Sequence, residues 1–588
     1  MRLVAPFLWL LIAIVPGFSQ TSSTMKNDDT LKIPFEEHPN YSSTYLETIN
    51  FYRQLDEKYT QLELLSYGST DSGFPLNLAV LSMDGDFDPK SLRDKGKYIL
   101  MINNAIHPGE SCGVEASMLL LREYLENKAL HKYLENLVII VIPMYNIGGA
   151  LNRNSTTRTN QNGPEAYGFR GNARNLDLNR DFIKCDSRNA QTFNEIFTLW
   201  QPDVFIDNHT SNGADYQYTI TLIPTQEDKV DPNIATYMRA RLLPALFEDM
   251  KTRNWEMTPY VYARNTPDEG IAAFLDLPRF SSGYAALFNT ISFMPETHML
   301  KPFKDRVAST KAFSESIIKA IYEDGAALKI ARQKAIAATM EKSTFELNWE
   351  LDFSRQDKWS FKGYEAKYKP SEVSGLDRLY YDREAPYEKE IPWFRYYKPS
   401  LSIEKPVAYI IPQAYGSIIE KMQSNGVKME RLKAETELEV EMYRIIDFET
   451  RDAYEGHYLH TKVQVEKELK KWTYHRGDYI IPTDQAANRY IMETLEPQAP
   501  DSWFAWNFFD GILQQKEYFS DYVFEDLAAD YLKQHPELKQ QLDEKKAADE
   551  DFARSADKQL EFIYMNSPWH EPTYRLYPVG RIMEIKKQ

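Results

Sequence analysis

Between about residues 35 and 325 the chain alternates short apolar runs with amphipathic segments. That alternation restricts it to an α/β sheet covered by helices on both faces. Runs at 76–82, 98–103, 137–143, 204–208, 218–223 and 292–296 read as strands. Segments 43–59, 113–126, 187–199, 232–251 and 307–322 read as helices. Ligands of such sheets gather beyond the carboxyl ends of the strands. Polar residues just past each run are therefore where chemistry is expected, and His107 and His209 each follow a run by a few residues.

His107, Pro108, Gly109 and Glu110 form the first such group. An imidazole and a carboxylate three residues apart are a mixed N/O pair suited to zinc. Catalytic zinc commonly takes three protein ligands, and His209, in Ile206-Asp-Asn-His-Thr210, supplies the third by folding. Glu296, in Phe293-Met-Pro-Glu-Thr297, ends another apolar run and suits a general base that takes a proton from water and passes it to a leaving amine. His298, two residues on, reads as structural. Phe169 to Asp181 is a second dense motif. There Asn179 and Arg180 set an amide beside a guanidinium fork, a pair able to grip a carboxylate through paired hydrogen bonds. Arg170 is suited to stabilising an oxyanion, and Arg174 is available to either task.

These motifs, in this order, resemble the zinc metallocarboxypeptidase family typified by pancreatic carboxypeptidase A, over roughly residues 40–325. The resemblance implies a carboxypeptidase-like fold with a mixed, mostly parallel sheet. It implies one zinc ion held by His107, Glu110 and His209, with Glu296 as base and Arg170 as the oxyanion-polarising arginine. Asn179 and Arg180 are similar to the pair that binds a substrate's terminal carboxylate. Tyr284, in Ser281-Ser-Gly-Tyr-Ala285, is the candidate for the family's mobile tyrosine. Ala285, Ala286 and Leu287 would lie near the floor of the specificity pocket and favour apolar or small terminal residues. The chain departs from the pancreatic members in having no recognisable activation segment and in its long extension, which resembles that of bacterial exported relatives.

Arg2, the apolar stretch 3–15 and the small residues Gly17 and Ser19 read as a signal peptide over 1–19, cleaved before Gln20. The stretch is too short to span a bilayer, and no later segment has 18 consecutive apolar residues. The expected protein is exported, to the periplasm or beyond the cell. In that setting Cys112 and Cys185 leave a disulfide and two buried thiols both open. A net charge of −17 argues against a nucleic-acid partner. The expected organisation is a catalytic domain at 35–340, a β-rich connecting region at 341–405 carrying Trp349, Trp359 and Trp393, and an α+β accessory domain at 406–588. That last part shows no catalytic constellation. His457 and His460 have metal-like spacing without a matching carboxylate cluster, and the charged run 536–560 reads as a solvated helix.

The function expected is an exported zinc metallocarboxypeptidase acting on peptides or proteins with a free C-terminal carboxylate. One alternative is a zinc amidase or acylase of similar fold acting on murein peptides or N-acyl amino acids. The other is a peptide-binding protein without catalysis, whose mark would be a missing ligand or base; none is missing.

Overall fold

The computed structural model describes residues 31–584, so the expected signal peptide lies outside the described residues. Among the described residues ten strands precede residue 300: β1 Leu62–Tyr67, β2 Leu76–Leu81, β3 Tyr98–Asn103, β4 Leu137–Ile142, β5 Val204–Asp207, β6 His209–Ser211, β7 Ile220–Pro224, β8 Met257–Pro259, β9 Ile271–Ala272 and β10 Ile291–His298. All except β9 join one nine-stranded sheet in the order β1-β2-β4-β3-β5-β10-β7-β8, with β6 beside β10. The central pairs β4–β3, β3–β5 and β5–β10 are parallel, as is β7–β8. Antiparallel pairing joins β1 to β2, β2 to β4 and β7 to β10. The sheet is the mixed α/β sheet that the alternation predicts. Every residue of β2 and β4 is buried, as expected of strands covered on both faces.

The helices start where local chemistry starts them. Thr44 caps Tyr45–Lys58 by accepting from the Glu47 N–H, and the Glu47 carboxylate accepts in return from the Thr44 N–H at 2.7 Å. Tyr45, Thr48, Ile49, Tyr52 and Leu55 then recur at helical spacing on its buried face. Ser187 caps Arg188–Trp200, and Gln201, at φ 48°, ends it in the left-handed region. The segment 232–251 is helical but passes through a π turn at Met238–Leu242. The last helix of this part, Phe303–Glu341, has 39 residues with one non-helical residue, Asp324. It runs on because Leu328, Ala331, Ala335 and Thr339 keep a buried face beyond that kink.

Thr344–Leu351 pairs with Tyr397–Glu404, and Asp357–Pro370 with Asp377–Phe394, which also takes β9. A six-stranded sheet follows, in which Thr436–Thr450 and His460–Tyr474 form the longest pair. Helices between 521 and 565 close on a small apolar cluster around Phe524, Leu542 and Leu560. From Ile33 onward the chain is one compact unit. A single apolar cluster runs from Leu76 and Ile140 through Phe197 and Tyr284 to Tyr490, Trp503 and Val579. The later residues therefore share a core with the first sheet.

Candidate metal centre and substrate cleft

His107 and Glu110 sit in the turn after β3, closed by the Glu110 N–H donating to the His107 carbonyl at 2.7 Å. His209 opens β6, directly after β5, and faces Glu296 of β10 in register. Three chain segments thus meet at one end of the parallel strands. His107, Glu110 and His209 are buried, and one ligand atom from each lies within 4.8 Å of the others. Both imidazoles are turned the same way. His107 Nε2 lies 2.9 Å from Asp177 Oδ1, and His209 Nε2 lies 2.8 Å from Asp207 Oδ2. With Nε2–H donating to those carboxylates, each Nδ1 presents its lone pair inward. His107 Nδ1 is 3.3 Å and His209 Nδ1 3.2 Å from the two Glu110 oxygens.

His107 Nδ1 is buried and makes no hydrogen bond. Leaving such a group without a partner is costly. Two inward nitrogens and a carboxylate fit zinc, and the carboxylates behind the imidazoles fix their tautomers and raise their basicity as ligands. Burial would raise the Glu110 carboxyl, but His107 and the Arg158 guanidinium outweigh it and hold Glu110 well below the usual carboxylate range. Arg158 Nη1 donates to Glu110 Oε1 at 2.8 Å, and the Thr210 N–H donates to Oε2 at 2.8 Å. Burial, with Glu110 adding to it against the two imidazoles, pushes the Glu296 carboxyl up to about 7.

These side chains line a cleft of about 500 Å³ together with Arg170, Asn179 and Arg180. Arg170 Nε donates to Asp177 Oδ2 at 2.9 Å, and its Nη1 reaches Glu110 Oε1 at 3.4 Å. Asp177 also accepts from the Asn179 N–H at 2.9 Å, which shapes the short turn Leu178–Arg180. The Asn179 amide oxygen is taken by the Ser281 N–H at 3.1 Å, which leaves its NH2 group for the cleft. Arg180 lies over the Phe280 ring at 4.6 Å, with Nη1 on the Asn179 carbonyl and Nε on the Tyr454 hydroxyl. Ile223 and Met294, cross-strand partners, join Tyr260, Phe274 and Phe280 as the apolar part of the same lining.

Two expected site residues stand elsewhere. Arg174 is exposed and outside the cleft, with Nη1 donating to the Asp186 carbonyl at 2.9 Å. The left-handed Asn175 (φ 60°) and the Asn172 side chain, which accepts the Arg174 N–H, turn that loop outward. Tyr284 is fully buried in Ser281–Ala286, between Phe197 and Phe288, with its hydroxyl on Asn425 Oδ1 at 2.6 Å. It is a core residue because the later part of the chain packs over that helix. Ala285, Ala286 and Leu287 are buried with it and do not form the pocket floor. His298 is structural, 3.0 Å from the Ala214 carbonyl. Cys112 and Cys185 are free buried thiols. His457 and His460 hold different carboxylates, Asp186 at 2.6 Å and Asp510 at 2.9 Å.

Sequence reading missed Arg158, Tyr260 and the orienting Asp177 and Asp207. The two aspartates had a signal: each stands two residues before a predicted site residue. Arg158 and Tyr260 lie in loops without a motif.

Residues 48–215 match a family model described as zinc carboxypeptidase. "Carboxypeptidase 2" of Trichophyton rubrum is 21% identical over 430 residues, 69% of this chain and 73% of that protein. "Probable carboxypeptidase 2" of Arthroderma benhamiae is 21% identical over 428 residues, 69% of this chain and 74% of that protein. Among solved structures, a metallo-carboxypeptidase from Pseudomonas aeruginosa is similar at 16% identity, over 49% of this chain and 70% of that one, with a TM-score of 0.37. Residues 48–215 thus carry a zinc carboxypeptidase domain, and with the carboxypeptidase relatives that domain marks the chain as a metallopeptidase.

Proposed function

We propose that the protein is an exported carboxypeptidase that removes residues from the C-terminal end of peptides, using one zinc ion held by His107, Glu110 and His209. The observation that carries this reading is one cleft holding a His–Glu–His cluster, a half-buried carboxylate at Glu296 and the Asn179–Arg180 pair. When bound, zinc supplies Lewis-acid polarisation of a carbonyl and acidification of a water. The Glu296 carboxylate accepts the proton of the attacking water and delivers it to the leaving amine. Arg170 stabilises the oxyanion with its guanidinium. The Asn179 NH2 group and the Arg180 fork hold the terminal carboxylate, which sets the direction of cutting. The wall of Ile223, Phe274, Phe280 and Met294 takes an apolar terminal side chain. Export is supported by the basic start and apolar stretch of residues 2–15.

The test is mass spectrometry of peptides with free and with amidated C-termini, with and without a chelator. Stepwise loss of terminal residues from free-ended peptides alone, abolished by chelation and restored by zinc, is expected. Glu296→Gln should lower kcat/KM by about 10²- to 10⁴-fold. Internal cleavage, or equal action on amidated ends, would refute the assignment. Hydrolysis of N-acyl amino acids in place of peptides would identify an amidase or acylase.

A further inference from the structure

The residues that link strands Thr436–Thr450 and His460–Tyr474 lie far along the chain from the cleft, yet two of them bond to Arg180 in its wall and to Asp177 behind it. Tyr454 and His457 close a tight turn, with N–H to carbonyl bonds of 2.7 and 3.0 Å in the two directions. Inside it Glu455 stands at φ 50° and Gly456 at φ 83°. A side chain at left-handed φ costs about 1–2 kcal/mol, and glycine is what such a turn favours at both positions. Strain of this kind persists where surrounding contacts over-determine it. Glu455 Oε2 accepts the Asp177 N–H at 2.7 Å. Asp177 is the carboxylate that holds His107 Nε2 and Arg170 Nε. Next to it, the Tyr454 hydroxyl accepts from Arg180 Nε at 2.9 Å.

The turn is itself braced. The Tyr454 ring stacks on Trp506 at 6.0 Å and 17°, and the Arg279 guanidinium lies over both rings. Trp506 Nε1 donates to Asp501 at 3.1 Å, and Arg279 pairs with Asp501 at 2.8 Å. His457 is anchored on Asp186 at 2.6 Å. A braced turn with a strained acidic residue at its tip, bonded to Arg180 of the cleft and to Asp177 behind it, goes beyond what packing alone requires.

We infer that Tyr454 and Glu455 are positioning residues of the carboxypeptidase site. Tyr454 fixes the Arg180 fork for the substrate carboxylate, and Glu455 fixes Asp177 and through it the His107 imidazole. The inference rests on the proposed function and gives the region after residue 406 a part in it. Neither residue touches the reacting atoms, so their effects fall on binding and metal retention.

Tyr454→Phe keeps the ring stack and deletes only the hydroxyl. It should raise KM for free-ended peptides about tenfold, with kcat within about twofold, because ground and transition states lose the same grip. Preference over amidated peptides should shrink by a similar factor. Glu455→Gly removes the carboxylate and relieves the backbone strain together. Its melting temperature should hold or rise, while zinc, followed by competition with a chromogenic chelator, should dissociate about tenfold more readily. Glu455→Gln, which keeps an acceptor oxygen for the Asp177 N–H, should restore zinc affinity. Unchanged KM and end preference in Tyr454→Phe, or unchanged zinc affinity in Glu455→Gly, overturns the inference. A wild-type protein that trims no peptide would instead refute the proposed function, and the zinc measurement on Glu455→Gly would still judge the turn.

Discussion

Glu296 shows how one residue's chemistry is set by its surroundings. The same carboxyl on an exposed strand end would titrate near 4.3. Half-buried opposite His209, it is pushed up to about 7 by desolvation before any cation is considered. A cation beside it favours the charged form and draws the value back down. In the proposed role of general base it must be a carboxylate, so activity should be lost as pH falls through its pKa. The acidic limb of kcat/KM is therefore expected between about 5 and 7, with a slope of about tenfold per pH unit below it. A profile of kcat/KM from pH 4.5 to 9 checks this, and a flat profile down to 4.5 would remove Glu296 from the role. Residues of this kind were legible in sequence when their type and spacing carried the chemistry. His107, Glu110, His209, Asn179 and Arg180 were read from motifs, and the structure gathers them around one cleft. Tyr284 was read from type and rough spacing alone, and it lies in the core.

At the scale of elements, the helix Cys112–Glu126 fixes how closely the segments carrying His107, Glu110 and His209 approach. It begins two residues after Glu110 and packs Gly113 against the loop ends of β3 and β5. A Cβ at Gly113 would meet Asn104 Oδ1 at 2.5 Å and Asn208 Cβ at 2.6 Å. Asn208 immediately precedes His209, and its side-chain NH2 donates to Asn104 Oδ1 at 2.8 Å. Gly113→Ala should therefore push the His209 segment outward. The expected cost is about 1–3 kcal/mol of stability, as for overpacking elsewhere, together with weaker zinc retention. Thermal melts and zinc content after graded chelation would register both effects; a variant matching the parent in each would show that the contact is slack. The helix and strands themselves were legible, since their apolar periodicity is local. The intimacy of this contact was not, because Asn104, Gly113 and Asn208 are brought together only when β3 and β5 pair.

For the whole molecule, the shared core matters most. Phe197, Tyr284, Phe288, Phe345 and Leu347 pack in one cluster with Tyr490, Ile491, Trp503 and Phe504. Arg279 bonds Asp501, and Tyr284 bonds Asn425, across the same boundary. Burying a large apolar side chain contributes about 1.5–3 kcal/mol. A chain ended after Glu404 would expose several at once, against a net stability of only about 5–15 kcal/mol. Such a truncation is expected to aggregate and to lack peptidase activity. Near-UV circular dichroism and size-exclusion chromatography would reveal this, and a soluble, active fragment would show that the later region is dispensable.

The sequence by itself determined what is local: the α/β alternation, the strand and helix positions, and residue types suited to holding a metal and gripping a carboxylate, because periodicity and side-chain chemistry act over a few residues. Only the tertiary structure decided which tyrosine faces the cleft, which apolar residues wall it, that Arg158 buttresses Glu110, and that Tyr454 and Glu455 stand behind Arg180 and Asp177. Those relations depend on segments up to 278 residues apart meeting in space, and no pattern along the chain encodes a contact between surfaces that exist only after the sheets have packed.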